Sequence, residues 1–238
     1  IDVPVALVLD EVSVGAYEEI RKEAAEEHPG AATLTALIRL RQFCSHPWAA
    51  GKLTGIRDVA AASPKLQRCL EIIEEIVAIR AKALIFTSFN EVSDLLASEI
   101  SKRFEIPAEQ INGSVPVRDR QRMVDAFTAH EGPAVLVLNP KAAGTGLNIA
   151  AASHVIHYNL EWNPAVEDQA SARAYRRGQR LPVTVHRMFF TDTVEEVINE
   201  RMMRKRGIAN QAVVGTAGDA DDLADIVKAL QRSPVAPS

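Results

Sequence analysis

The feature that most constrains this chain is the run Ala134-Val135-Leu136-Val137-Leu138, apolar at every position. A strand with one wet face alternates in polarity, so a continuous apolar run belongs to a strand covered on both faces, as in parallel sheets. Residues 83–86 (ALIF) and 155–158 (VIHY) repeat the signal, residues 183–190 add a further strand, and residues 106–111 read as a weaker one. Between them, residues 92–103, 117–129 and 164–177 read as helices. Alternating strands and helices of this length predict an α/β fold, an open parallel sheet with helices on both faces.

The flanks read differently. An apolar stretch at residues 4–9 precedes Asp10, a charged helix is expected through Tyr17 to about residue 27, and a second helix over residues 34–43 ends near His46-Pro47. Residues 49–63 read as a connector. Ser63 and Pro64 then suit a helix start, because Pro64 loses no bond in a first turn, and Leu66, Leu70, Ile73 and Val77 recur at helical spacing. A last helix of the α/β region is expected over residues 194–206, followed by a loose tail with a short helix around residues 223–230. The expected division is therefore an N-terminal helical extension and connector (1–62), an α/β lobe (63–206) and a C-terminal tail (207–238).

At 47% hydrophobic and 24% charged residues the chain fits a globular protein, not a disordered one. Its net charge of -4 excludes nothing, since nucleic-acid binding needs a local basic surface and not a basic average. Cys44 and Cys69 show no CxxC spacing and read as buried, reduced thiols of an intracellular protein. No apolar run is long enough to span a membrane, and none has the form of a signal peptide. A start at Ile1 suggests a piece of a longer polypeptide.

Ligands of open parallel sheets bind at the carboxyl ends of the strands. Residues 139–148 (NPKAAGTGLN) follow the strand ending at Leu138: Gly144 and Gly146 let backbone approach a ligand, while Lys141, Thr145 and Asn148 supply donors. A plain structural turn is the alternative. After Trp162-Asn163-Pro164, a helix through residue 177 would place Gln169, Arg173 and Arg176 at i, i+4 and i+7 on one face, with Arg177 and Arg180 adding charge. A guanidinium fork matches phosphate oxygens and stays charged at any working pH. A solvated basic helix is the competing reading.

The ordered set ALIFTSF (83–89), INGS (111–114) with Arg118 and Arg122, KAAGTGLN (141–148), EWNP (161–164) and QASARAYRRGQ (169–179) resembles the motifs of the second RecA-like lobe of Swi2/Snf2 family ATPases. LRQFCSHP (40–47) and SPKL (63–66) resemble segments just upstream, and the resemblance covers about residues 34–195. It implies a RecA-like lobe of a double-stranded-DNA-dependent ATPase and translocase. Arg173 and Arg176 would be its arginine fingers, Arg176 foremost, with Gln169, Gly144, Gly146 and Asn148 at the nucleotide. Asn112, Gly113, Ser114, Lys141, Thr145, Trp162 and Asn163 would face the DNA. The implied cofactors are ATP and Mg²⁺, and the implied partners are duplex DNA, the N-terminal lobe of the same polypeptide and, as an open choice, a DNA-associated protein. Ala143, Ala172 and Tyr175 depart from the family pattern of glycine, an acidic residue and histidine at these places.

The sequence holds no GxxxxGK[ST] phosphate loop, and Asp10-Glu11 reads as a surface turn, not as a Mg²⁺-holding pair. The chain by itself is therefore expected to be inactive. Its histidines are scattered without metal-ligand spacing, so no metal site is expected. Residues 201–206 carry three arginines and a lysine that either touch DNA or form a solvated helix end. A non-catalytic DNA-binding or protein-docking module that kept the fold remains the alternative function.

Overall fold

The computed structural model describes residues 1–26, 31–50, 63–141, 147, 149–175, 181–210 and 219–235. Most of the connector expected at 49–63 lies outside them. The described chain runs β1 (Asp2–Leu7), α1 (Glu11–Glu26), α2 (Ala31–Ser45), a short 3₁₀ turn, α3 (Pro64–Ala78), β2 (Lys82–Phe86), α4 (Asn90–Phe104), β3 (Ala108–Ile111), α5 (Val117–Ala129), β4 (Ala134–Leu138), β5 (His154–His157), α6 (Pro164–Ser171), β6 (Thr184–Phe190), α7 (Val194–Asn210) and α8 (Asp219–Gln231). Among the described residues no helix is long and apolar enough to cross a membrane.

Six strands form one sheet in the order β1-β6-β5-β2-β4-β3. The pairs β2 with β4, β2 with β5, β3 with β4 and β5 with β6 are parallel. The amides of Val185 and Thr191 donate to the carbonyls of Ile1 and Leu7, a constant offset that makes β1 parallel to β6 as well. The α/β fold and helices on both faces follow the sequence reading. Every residue of β4 is buried, as its unbroken apolar run requires. The stretch at residues 4–9 goes further than its sequence suggested, because most of it is the edge strand β1. Pro4 is tolerated at an edge, where the missing N–H need not serve a second neighbour.

Two compact units emerge from the packing. The first comprises Ile1–Val5, Lys65–Asn159 and Ala165–Met188. On one face of its sheet, Leu84, Phe86, Leu136, Leu138 and Val155 meet Val124 and Phe127 of α5 and Ala170 of α6. By the period-two alternation of a strand, Ala83, Ile85, Val135, Val137 and Ile156 point to the other face, and all are buried. Helix α3 buries Leu66, Leu70, Ile73 and Ile76 along one stripe. Each such aliphatic side chain contributes roughly 1.5–3 kcal/mol.

The second unit comprises Ala6–Pro64, Leu160–Pro164 and Phe189–Ser238. Its core joins Tyr17 and Ile20 of α1, Leu37, Leu40 and Phe43 of α2, Val194 and Val197 of α7 and Ala229 of α8. The Tyr17 hydroxyl accepts from the Val194 amide at 2.9 Å, which satisfies a buried polar group at the start of α7. Asp10 is exposed, and its Oδ1 accepts from the Ser13 amide at 2.7 Å. Asp10 therefore caps α1, which gives the expected surface turn a structural purpose.

Candidate functional site

The strands β4, β2 and β5 end level with one another, since Phe86 pairs with Leu138 on one side and with His157 on the other. The chain leaves β4 and crosses over β2 to enter β5, so this is the reversal of strand order at which open α/β sheets bind ligands. The three ends are tied together by side chains. Thr87 Oγ1 donates to Asn159 Oδ1 at 2.7 Å, and Asn139 Nδ2 donates to the Ser88 carbonyl at 3.3 Å. Lys65, fully buried, sets its ammonium 5.6 Å from the centre of the Tyr158 ring.

Lys141 opens the loop after β4 with its side chain exposed and its amide bound to Asn139 Oδ1 at 3.0 Å. Gly144, Thr145, Gly146 and Asn148 lie outside the described residues, as do Ala143 and Arg176. The loop's return is fixed at Leu147 and Ile149, both buried. There the loop meets Arg173, whose Nη1 donates to the Leu147 carbonyl at 3.4 Å and whose own carbonyl accepts from the Ile149 amide at 3.1 Å. Two segments 26 residues apart, each singled out from the sequence, are thus in direct contact.

Helix α6 is shorter than its periodicity predicts. The Ala172 amide still bonds to the carbonyl four residues back, whereas Arg173 and Ala174 bond to carbonyls three residues back. The helix tightens there into a 3₁₀-like turn, which takes Arg173 and Ala174 off the α-helical register. Gln169 is exposed while Arg173 is 9% exposed, so these two do not share a face. Below the turn, Ser171 Oγ lies 2.7 Å from Nε2 of His157, and the His157 ring stacks on Phe86 with centroids 5.4 Å apart. The Tyr175 hydroxyl donates to the Val183 carbonyl at 3.3 Å; burial, with a smaller contribution from Asp2, holds its phenol above the usual range.

On the other side of β2, the segment after β3 forms a compact turn. Asn112 is buried, and its Oδ1 accepts from both the amide and the hydroxyl of Ser114 at 2.9 and 2.6 Å. Gly113 is exposed; an added Cβ there would meet nothing within 4 Å, and its φ lies outside the left-handed region. The turn's own geometry therefore does not demand glycine. Arg118 is 87% exposed in its side chain and Arg122 is exposed, while Arg120 between them is 7% exposed. Arg120 donates from Nε to the Val115 carbonyl at 2.9 Å and from Nη2 to the Asn112 carbonyl at 3.4 Å. Its spacing with Val124 and Phe127, at i, i+4 and i+7, was the signal that it faces inward.

Trp162 and Asn163 belong to the second unit. Asn163 is exposed, and Trp162 packs against Leu160, Phe189, Ile198 and Met202. Arg201 departs from the reading of residues 201–206 as a solvated helix end or a DNA contact, because it is buried, while Arg204 is exposed and paired. Arg201 is 1% exposed and donates to Asp225 Oδ2 at 2.5 Å, and Arg204 donates to the same carboxylate at 2.6 Å. Burial alone would raise the Asp225 carboxyl, and hydrogen bonds from Arg204 and then Arg201 outweigh it, holding the carboxyl below its ordinary range.

A family model described as the helicase conserved C-terminal domain matches residues 64–178. The chain is 41% identical over 180 residues, 76% of its length, to a putative ATP-dependent helicase/translocase of Bacillus subtilis, YwqA, and 34% identical over 200 residues, 80% of its length, to the Zorya protein ZorD of Escherichia coli. It spans only 19% and 18% of those two relatives. Among solved structures, the Sulfolobus solfataricus SWI2/SNF2 ATPase core in complex with dsDNA aligns with a TM-score of 0.78 at 25% identity, over 98% of this chain and 50% of that one. The C-terminal domain of a Sulfolobus solfataricus SWI2/SNF2 ATPase aligns with a TM-score of 0.76 over 98% of this chain and 99% of that one. This chain belongs to the helicase C-terminal domain family, and within it to the Swi2/Snf2 type, as a C-terminal RecA-like lobe.

Proposed function

We propose that this chain is the C-terminal lobe of a double-stranded-DNA-dependent ATPase that translocates along the duplex. The observation that carries the reading is the contact of Arg173 with the end of the 141–148 loop, at the place where β2, β4 and β5 end in register. It couples a candidate nucleotide-facing turn to a candidate DNA-facing loop through one hydrogen-bonded residue. A change at the phosphates then moves the loop without any long-range relay. Likeness to a SWI2/SNF2 core in complex with dsDNA supports duplex DNA as the partner.

Arg173 is turned inward and holds the loop; the finger role is therefore assigned, on the family resemblance, to Arg176, with Gln169, exposed on α6, orienting that region. An arginine in that role lowers the barrier by stabilising charge on the equatorial oxygens, roughly 10³ to 10⁵ in rate. Gly144, Gly146 and Asn148 would line the nucleotide side. Asn112, Gly113, Ser114, Lys141, Thr145, Trp162 and Asn163 would grip DNA phosphates, which gives little sequence preference and strong weakening by salt. Among the described residues no three His, Cys, Asp or Glu side chains gather to hold a metal ion. On the family resemblance, ATP and Mg²⁺ would be held mainly by an N-terminal lobe of the same polypeptide.

The test is made on the full-length polypeptide. Arg176→Ala should abolish DNA-stimulated ATP hydrolysis while duplex binding, measured by fluorescence anisotropy at fixed salt, stays within about threefold. Turnover retained in that variant refutes the finger assignment. Absence of DNA-stimulated turnover in the unaltered protein refutes the motor and favours a module that kept the fold alone.

A further inference from the structure

The largest fully buried side chain of the described residues is an arginine, Arg201 of α7. A guanidinium taken out of water is tolerated only when its donors are bonded and its charge is paired. Arg201 meets both needs in an unusual way. Its Nη1 lies 2.5 Å from Asp225 Oδ2 of α8, its Nε donates to the Trp162 carbonyl at 3.3 Å, and its Cζ sits 4.6 Å from the centre of the Trp162 ring. The edge of one planar cation therefore holds the Trp162 backbone while its face holds the Trp162 ring. A guanidinium over an indole face is the favoured cation–π geometry.

Trp162 lies in the short link between β5 and α6. Two residues earlier, the Leu160 carbonyl accepts from Arg41 Nη2 of α2 at 2.8 Å. Helix α8 packs against both α2 and α7. The link is thus held by arginines from two helices, and α8 touches both of these helices while its Asp225 anchors one of the arginines.

We propose that Arg201 is a positioning residue that fixes the Trp162 segment for DNA engagement, and that helix α8 sets this position through Asp225. The inference rests on the reading that the Trp162 segment meets DNA. Asp225 acts on Arg201, Arg201 acts on both the ring and the carbonyl of Trp162, and the exposed Asn163 follows in the chain. The C-terminal helix becomes a control point: whatever loosens α8 weakens the DNA grip of a segment more than 60 residues earlier in the chain.

Arg204 supplies the discriminating control. It shares the Asp225 carboxylate, yet about half its side chain is exposed, and Arg201 is the partner that reaches Trp162. In the full-length protein, Asp225→Asn and Arg201→Lys should raise the DNA concentration for half-maximal ATPase stimulation about three- to tenfold. The rate at saturating DNA should stay within about twofold, and hydrogen exchange in the peptide covering 160–164 should accelerate. Arg204→Gln removes bonds to Asp225 but none to Trp162, and should move both readings by less than half as much as Asp225→Asn. In a Trp162→Ala background, Asp225→Asn should add nothing, because residues acting through one another are non-additive. Equal effects of Arg204→Gln and Asp225→Asn, or full additivity with Trp162→Ala, would overturn the positioning role in favour of a purely structural pin. If Trp162→Ala alone leaves the DNA dependence unchanged, the DNA reading of the segment has failed, and the inference with it.

Discussion

Replacing Arg120 tests whether the turn after β3 is held from beneath. Arg120 is 7% exposed and donates two hydrogen bonds, one of 2.9 Å to the Val115 carbonyl and a longer one of 3.4 Å to the Asn112 carbonyl. A bond from a charged donor contributes roughly 1.5–3 kcal/mol, and the longer one contributes less. Arg120→Met keeps most of the apolar stem and loses both bonds, so the expected destabilisation is about 2–3 kcal/mol. For a chain of this size that corresponds to a fall in Tm of about 4–12 °C. Arg120→Lys retains the charge but not the planar fork, and roughly half the loss should return. Thermal unfolding of the chain reads this directly, with the exposed Arg122→Met as control. If Arg120→Met falls within ~0.5 kcal/mol of that control, the anchoring argument is wrong. A second reading concerns the turn's partner. If the turn at residues 112–114 meets one DNA phosphate, the log–log salt slope of duplex binding should shrink by about 1 in Arg120→Met.

Gly113→Ala separates folding from contact at the same turn: with open space at the Cβ and no left-handed φ, stability should be unchanged or rise by about 0.4–1 kcal/mol, while on the proposed DNA contact duplex affinity should fall, because a methyl group would stand in the way of the phosphate. A clear loss of Tm, or unchanged affinity, refutes that account. The acid response should carry the mark of His186. Burial, then His154, whose ring stacks on it at 5.9 Å, then Arg68 push the His186 pKa down to about 4, and Glu75 acts on His154 in the opposite sense to burial. The unfolded chain binds a proton near pH 6.5 that the folded chain refuses until about pH 4, so the stability due to a neutral His186 is present above pH 6.5 and lost progressively as pH falls toward 4. Urea midpoints between pH 7 and 5 should fall more steeply in the parent than in His186→Asn, and equal slopes would refute the assignment.

Much of the sheet was legible because β4 is apolar at every position and β2 is apolar over Ala83–Phe86, a pattern few other environments tolerate. The edge strand β1 was not. It alternates, its only buried residue is Val5, and it contains Pro4, so locally it looks like an approach to the following helix. Its identity comes from pairing with β6, nearly the whole chain away, and no local pattern reports such a partner. The shorter α6 was hidden for a related reason. The 3.6-residue period of residues 164–177 continues past Ser171, while the backbone tightens where the Arg173 carbonyl is taken by the Ile149 amide. Tertiary hydrogen bonding outweighs a weak helical preference there. Gly144, Thr145, Gly146, Asn148 and Arg176 fall outside the described residues, so the sequence and the family remain the grounds for their roles.

The arginines show how far charge alone misleads. Read from sequence, an arginine beside a polar loop is a phosphate ligand in waiting. Four of them instead give hydrogen bonds to main-chain carbonyls of the loops that carry the family motifs. In the first unit, Arg120 binds the carbonyls of Asn112 and Val115, and Arg173 binds that of Leu147. In the second unit, Arg41 binds the carbonyl of Leu160, and Arg201 binds that of Trp162. The chemistry explains the choice. Carbonyls turned inward beneath a loop need donors that do not titrate. Guanidinium supplies several donors in a fixed plane and keeps its charge at any working pH. Its positive charge beneath the loop also favours the anion above it, more strongly at low salt than at high. The buried arginines and the exposed ones then divide a single task, the first shaping the surface that the second would use to attract phosphate. It follows that charge-preserving substitution to lysine should spare the exposed Arg118 and Arg122 and damage the four carbonyl-bonded positions, whose geometry one ammonium cannot reproduce.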